Sequence, residues 1–358
     1  MTLLILALGP PPVASSRTRV FAYLPWFAAA GVRYDLLIWQ SDRFVASTRQ
    51  HQVPVLEHLW NYLHQVRVLV HLLRRVRRCH TVYVQKVVLP AWVLRFLKAG
   101  RRRLVFDFDD AMYALAPGQD RGIRGWIRRR RTLQFERMLK ASDLVIIEND
   151  TNRDYAGQYC SRLLTITGPI DTERYRPVAM RHGGPVVLGW IGSPSTTGYL
   201  DFLGPVLQEL ARRGHALVLH LIGAGPFDLP GVEVRRTPWA IDTEVNVLGT
   251  FDVGLMPLTD DSWSRGKGGY KILQYMAMGI PTVASPVGIN TDLVEHGTTG
   301  FLGSSVDEWL AALEELITEP ERRRVIGERA RRVAIERHSL ERHAPTILQA
   351  LAAGEQTL

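Results

Sequence analysis

Short apolar runs recur along the whole chain, separated by longer stretches in which apolar residues return every three to four positions. In the first half the runs are Leu3–Leu8, Leu36–Trp39, Val82–Gln85, Leu104–Phe108, Leu144–Glu148 and Leu163–Ile166. Near-continuous apolarity marks strands covered on both faces, and the helical period between them, clearest over Leu56–Arg78, supplies parallel crossovers. A loop rich in Gly and Pro, Gly168-Pro-Ile-Asp171 followed by Arg176–Pro185, interrupts the pattern. It then restarts with strands expected at Val186–Trp190, Ala216–Ile222, Val232–Arg235, Asp252–Met256, Thr282–Ala284 and Gly300–Leu302. Helices are expected at Tyr199–Arg213, Tyr270–Met278, Val306–Thr318, Glu321–Arg337 and Leu340–Leu351. For 358 residues this predicts an α/β chain of two doubly wound, Rossmann-like domains facing each other across a cleft. The domains are expected at residues 1–170 and 171–338, with a last helix in 339–358 packing back on the first domain. In such sheets ligands bind outside the carboxyl ends of the strands, so function is sought in the loops that follow them.

The charge balance admits phosphate-bearing partners. Lys and Arg number 44 against 35 Asp and Glu, a net charge of +9. The two cysteines, Cys79 and Cys160, lack any metal-ligand spacing, and no Cys/His pattern suggests a metal. No run is long and apolar enough to span a membrane. The apolar start, Met1–Gly9, carries no basic residues and reads as a buried strand and not a signal peptide. A cytoplasmic protein is expected.

Four loops carry the chemistry. Between the strand ending at Met256 and the helix starting at Tyr270 lie Arg265, Lys267, Gly268 and Gly269. Glycines let the backbone approach a ligand, and cations beside a helix start make an anion site. The loop Gly189-Trp-Ile-Gly-Ser-Pro-Ser-Thr-Thr-Gly198 places Gly192 and Ser193 after another strand. It suits a phosphate, or simple helix capping by Ser195 or Thr196. In Leu104-Val-Phe-Asp-Phe-Asp-Asp110 a strand ends in Asp107, Asp109 and Asp110. Asp109 and Asp110 are candidate catalytic carboxylates; the alternative is that Asp110 caps a helix and Asp107 pairs with an Arg such as Arg103. The loop after the first strand offers Ser16, Arg17 and Arg19 to an acceptor or a donor phosphate, or is a solvated turn.

The stretch Tyr275-Met-Ala-Met-Gly-Ile-Pro-Thr-Val-Ala-Ser285, with Leu293-Val-Glu-His-Gly-Thr-Thr-Gly-Phe-Leu302, resembles the retaining glycosyltransferases of family 4, of GT-B fold. Their pattern is a glutamate, seven residues, a second glutamate, then Ala-Met-x-x-Gly-x-Pro. Asp143-Leu-Val-Ile-Ile-Glu-Asn149 with Gly168–Pro177 is similar to the family's passage between its domains, and Leu221-Ile-Gly-Ala-Gly-Pro226 to its Gly-x-Gly-Pro turn, at Gly223. The resemblance implies a glycosyltransferase that moves a sugar, with retention, from a UDP-, GDP- or dTDP-sugar to a glycan, lipid or small-molecule acceptor. It implies a donor site in the second domain at Gly192, Ser193, Gly223, Arg265, Lys267, Gly268, Gly269, Tyr270 and Gln274. The acceptor would meet the first domain, and Lys267 would stabilise the leaving diphosphate. The second family glutamate, which holds the donor ribose, falls on Gln274, and the first on Gly266. Glu295 is a further polar neighbour. The donor is a substrate, so no cofactor is expected, and no metal.

Other readings on this architecture are a nucleotide-sugar epimerase, a phosphorylase and an inactive sugar-nucleotide binder. The basic runs His71–Arg78 and Arg121–Arg131, the latter with Trp126 and Ile127, suit an anionic membrane surface or a solvated helix face. No nucleic-acid-binding fold accompanies them.

Overall fold

Each of the twelve apolar runs forms a strand, and every registered pairing between neighbours is parallel. The computed structural model describes residues 2–49, 53–114, 122–178 and 183–353. The chain divides into two units. The first comprises Met1–Pro169, Gly266–Gly268 and the chain from His343 onward; the second comprises Ile170–Arg265 and Gly269–Arg342.

The first unit is built on β1 (Thr2–Ala7), β2 (Arg33–Ile38), β3 (Thr81–Gln85), β4 (Arg103–Asp107), β5 (Leu144–Ile147) and β6 (Leu163–Thr165). Its helices are α1 (Ala14–Arg19), α2 (Leu24–Ala29), α3 (Asp42–Arg49), α4 (Val55–Arg75), α5 (Ala91–Ala99), α6 (Gly122–Ala141) and α7 (Asp150–Gly157). The strand order is β2-β1-β3-β4-β5-β6. The chain moves one way from β1 to β2 and the other way from β3 onward, so the switch point lies between β1 and β3. Right-handed crossovers then put α4, α5 and α6 on one face. Leu4, Val82, Val84, Phe106 and Val145 share a core with Val68 and Leu72 of α4, Val93 and Leu97 of α5, and Phe135 and Met138 of α6. Each such side chain contributes about 1.5–3 kcal/mol by burial. Both cysteines are buried and free.

The second unit holds β7 (Val186–Ile191), β8 (Leu217–Ile222), β9 (Glu233–Thr237), β10 (Val253–Met256), β11 (Thr282–Ala284) and β12 (Gly300–Leu302), in the order β12-β11-β10-β7-β8-β9. Its helices are α8 (Gly204–Arg212), α9 (Glu244–Leu248), α10 (Ser262–Arg265), α11 (Tyr270–Ala277), α12 (Asn290–Leu293), α13 (Val306–Thr318) and α14 (Pro320–His338); α15 (Leu340–Ala352) follows. Successive residues of one strand feed opposite cores. Leu188, Trp190, Leu219 and Leu255 pack with α8 and α13, whereas Val187, Ile191, Val218 and Met256 pack with α11. The switch point here lies between β7 and β10.

Two expectations change. The helix expected over Tyr199–Arg213 is α-helical only from Gly204; Pro194–Leu203 is a tighter 3-10 segment. Gly198 and two prolines, Pro194 and Pro205, explain the late start, because proline suits a first turn and supplies no N–H. Arg103 does not reach Asp107. Its Nη1 donates to Leu351 O (3.1 Å) in the last helix, and Asp107 has another partner.

Candidate active site

The carboxyl end of the first sheet is a connected set of polar side chains. Gln85 ends β3 and Asp107 ends β4, while Glu148 follows β5. α1, which follows β1, carries Ser16 and Arg19 onto the same edge. Ser16 Oγ donates to Gln85 Oε1 (2.9 Å) and accepts from Gly9 N (3.0 Å). Arg19 is 1% exposed. Its Nε donates to Asp107 Oδ1 and its Nη1 to Glu148 Oε1 (2.9 Å), Ile166 O (3.3 Å) and Gly168 O (3.2 Å). Tyr83 Oη donates to Asp107 Oδ2 (2.6 Å).

These groups tune one another. Burial opposes charge on Arg19, but Asp107 and Glu148 outweigh it and hold its pKa above the ordinary value. Burial raises both carboxylates despite Arg19, and Glu148 the more strongly, because Asp109, Asp110 and Asp107 add like charge. One cation thus faces two buried acids, both held above the ordinary carboxylate range.

Next to this set, Lys86 Nζ lies 2.6 Å from Asp109 Oδ1 and 2.5 Å from Asp110 Oδ2. Lys86 is a non-glycine residue at φ 57°, a conformation costing about 1–3 kcal/mol that the surroundings must impose. The two carboxylates raise its pKa over the opposing effect of burial.

Residues 266–268 belong to this unit. Asn149 Nδ2 donates to Lys267 O (3.1 Å), and Asn152 Nδ2 to Gly266 O (3.1 Å). A Cβ on Gly266 would strike Ala111, and one on Gly268 would strike the Glu148 carboxylate. Two asparagine side chains thus hold the loop carbonyls, and a side chain at either glycine would displace its neighbours. A glutamate at position 266 would collide with Ala111 in this arrangement.

In the second unit, the loops after β7 and β10 flank the switch point. Gly192 and Ser193 follow β7. Ser193 and Thr196 form a reciprocal capping box on the 3-10 segment, with Ser193 and neither Ser195 nor Thr196 at the N-cap. Gly223, after β8, takes φ 72° with Gly192 O so close that a Cβ would collide with it. Only glycine meets both demands. After β10, α10 leads to Gly269, left-handed at φ 66°, and no side chain caps α11 there. Arg265 is exposed and pairs with Asp260 (2.6 Å). α11 ends with Ile280 N donating to Tyr275 O and with Gly279 left-handed, the stop that Gly279 and Pro281 predict.

Gln274 departs from its expected place. It is buried, and its Nε2 donates to Tyr175 Oη (3.2 Å) and Glu244 Oε1 (3.2 Å). Glu244 also accepts from Tyr175 Oη and Trp239 Nε1. The Gln274 amide N–H groups are thus engaged inside the protein, and the group poised by this cluster is Glu244, beside Trp239, whose Cβ lies against Gly223.

Of the expected acceptor contacts, Ser16 and Arg19 are corrected: both are buried with their polar atoms engaged in the unit. Arg17 reaches Pro11 O (3.3 Å) at the surface. Glu295 is exposed in the turn preceding β12, where its N–H donates to Thr299 Oγ1 (2.9 Å). Arg121 lies outside the described residues. The pairing of Arg19 with Glu148, the role of Lys86 beside Asp109 and Asp110, and the Glu244 cluster are not legible in the sequence. The available signal was that Gln85-Lys86 and Glu148-Asn149 end two strands in polar pairs. Among the described residues no group of three or more His, Cys, Asp or Glu can hold a metal ion, and no helix is long and apolar enough to cross a membrane.

Two doubly wound parallel sheets, each with its polar loops at the carboxyl ends, make this a protein of GT-B fold. Across the whole chain the fold matches sucrose-phosphate synthase from Thermosynechococcus elongatus, at TM-score 0.73 and 14% identity, covering 100% of both chains. It also matches Anabaena HepE in complex with UDP-glucose, at TM-score 0.68 and 17% identity over 100% of both chains. A glycosyltransferase from Rickettsia africae ESF-5 matches at TM-score 0.70 and 11% identity, covering 100% of this chain and 99% of that one. No curated protein matches the sequence. Residues 185–319, the greater part of the second unit, match the family described as Glycosyl transferases group 1. That domain supports a transferase enzyme of the glycosyl-transfer class.

Proposed function

We propose that the protein transfers a sugar, with retention, from a nucleotide-diphosphate donor to an acceptor. The observation that carries this reading is the second sheet's switch point, where the Gly192–Ser193 loop follows β7 and the glycine-led start of α11 at Gly269–Tyr270 follows β10, inside the matched domain. Backbone N–H groups at an α-helix start and in glycine turns stabilise a diphosphate leaving group. Lys267 and Arg265 add charge to that loop. Trp239, half-buried beside Gly223, offers the base an aromatic ring, and Gly223 allows a close backbone approach; Glu244, buried with both oxygens engaged, holds Trp239 in place. Gln274 supports this cluster through its bond to Glu244. HepE is bound to UDP and to UDP-glucose in its structures, which makes a UDP-sugar the first donor to test.

On the first sheet, Asp109 and Asp110, positioned by Lys86, are proposed to stabilise positive charge developing at the sugar carbon. Arg17, half-buried on α1, remains a candidate for the acceptor. The donor is a substrate, and the proposed chemistry calls for no cofactor or metal. Work in the cytoplasm, at a membrane surface, fits this reading.

The second reading is a sugar-nucleotide binder without turnover. The glycine at 266 and the internally bonded Gln274 favour it. Incubation with sugar-labelled UDP-glucose and a glycan or lipid acceptor separates the two. Labelled product with release of UDP supports transfer. UDP-glucose binding without product on any acceptor supports the binder.

A further inference from the structure

The layer of helices outside the first sheet presents an apolar surface that no element among the described residues covers. α4 is 21 residues long and turns Asn61, Val68 and Leu72 inward. Its other side exposes Leu56, Leu59, Trp60, Leu63, Val66 and Val70, each by 40–59%. At about 100° per residue these six fall on one face, along about 21 Å of helix. The same face changes character at its end, where Arg74, Arg77 and Arg78 are exposed. Trp92 of α5 and Trp126 of α6 are more than half exposed, and both helices lie on the α4 side of the sheet. Arg130 stacks on Trp126 at 4.0 Å.

We propose that this face docks the protein on an anionic lipid surface, with α4 lying in the plane of the interface. A row of Leu, Val and Trp beside arginines is the composition of an interfacial helix, and Trp and Arg suit the headgroup level. The charge is one-sided. Within α4 and the turn that follows it, Glu57 stands against Arg67, Arg74, Arg75, Arg77 and Arg78. A second copy of the chain fits less well, because a two-fold interface would set arginines against arginines. A nucleic acid would leave the apolar row without a partner. The proposal adds to the function above the surface on which the protein works. It does not depend on the donor.

The test is co-sedimentation of the full chain with vesicles of phosphatidylglycerol and phosphatidylcholine, and with phosphatidylcholine alone. Anionic vesicles are expected to bind it, and salt to weaken the binding. Arg74→Ala/Arg77→Ala/Arg78→Ala should reduce partitioning on the order of a hundredfold, at roughly a factor of five per arginine. Leu59→Ser/Leu63→Ser/Val66→Ser should reduce it about tenfold or more, by the lost apolar burial. UDP binding, measured on the same samples, should not change in either variant, so a failure of docking is distinct from a failure of the donor reading. If the serine variant does not fold, brominated phosphatidylglycerol provides the second measurement: it should quench the wild type more than Trp60→Phe. The proposal is overturned by no binding to anionic vesicles, by both variants binding as the wild type does, by equal quenching of the wild type and Trp60→Phe, or by a lipid-free dimer that the serine variant abolishes.

Discussion

Arg19→Met tests whether the buried polar edge of the first sheet is held by a single cation. The methionine fills similar volume and removes the charge. It also removes the bonds to Asp107, Glu148, Ile166 O and Gly168 O. Two carboxylates then remain in a site where Arg19 and Asp107 are each 1% exposed. Breaking a buried ion pair by removing one partner costs about 3–5 kcal/mol, mainly from the charge left behind. Protonation limits that cost, so the loss should be largest at neutral pH and shrink as the pH falls toward the ordinary carboxylate range, tested at pH values of about 7 and about 5. Urea unfolding followed by circular dichroism at both pH values reads the difference. Adding Asp107→Asn and Glu148→Gln to Arg19→Met should recover much of the loss, since neutral amides need no counter-charge. A loss under about 1 kcal/mol at neutral pH, or an equal loss at both, would refute the reasoning.

Glu148→Gln should flatten the pH dependence of stability. Below the unfolded carboxyl value of 4.5 both states hold the proton; above it the unfolded chain releases a proton that the folded chain keeps, so wild-type stability falls with rising pH until the raised folded value is passed. A wild-type curve that rises over this window would contradict the shift. Asp109→Asn should lower turnover on the order of a hundredfold while UDP affinity stays constant, as for a preorganised charge; unaltered turnover would make the Lys86 pairs purely structural. Gln274→Leu removes a donor from buried Glu244 and should cost about 1–3 kcal/mol of stability, together with UDP affinity. Stability unchanged in urea would show that the Tyr175–Glu244–Gln274 cluster is not the support described.

Strands were legible because burial on both faces leaves an apolar run that needs no partner to be recognised. The α11 stop was legible for the same local reason, a glycine and a proline at fixed offsets. The start of α8 was not, since the helical period of Tyr199–Arg213 masks a proline-bounded 3-10 segment. The site divides similarly. The glycine loops after β7 and β10 carry their signal in consecutive residues. Arg19 does not: Asp107 and Glu148 lie 88 and 129 residues away along the chain. In sequence it stands beside Ser16 and Arg17 as a surface loop cation. Asp109 and Asp110 were recognisable as carboxylates, but their partner Lys86 stands 24 residues before Asp110. Gln274 stands out in the family pattern, but the partner of its amide, Glu244, lies thirty positions upstream with no local signal linking the two.

The central claim is that the loops at the second sheet's switch point hold a nucleoside diphosphate. A thermal-shift panel of UDP, GDP, ADP and dTDP tests it, because a ligand bound only by the folded state raises the midpoint by mass action. One base should raise the midpoint as its concentration increases. In Lys267→Ala the same shift should need about tenfold more ligand or beyond, the loss of one charge-assisted contact. No shift with any of the four nucleotides, or an identical titration for Lys267→Ala, would contradict the account.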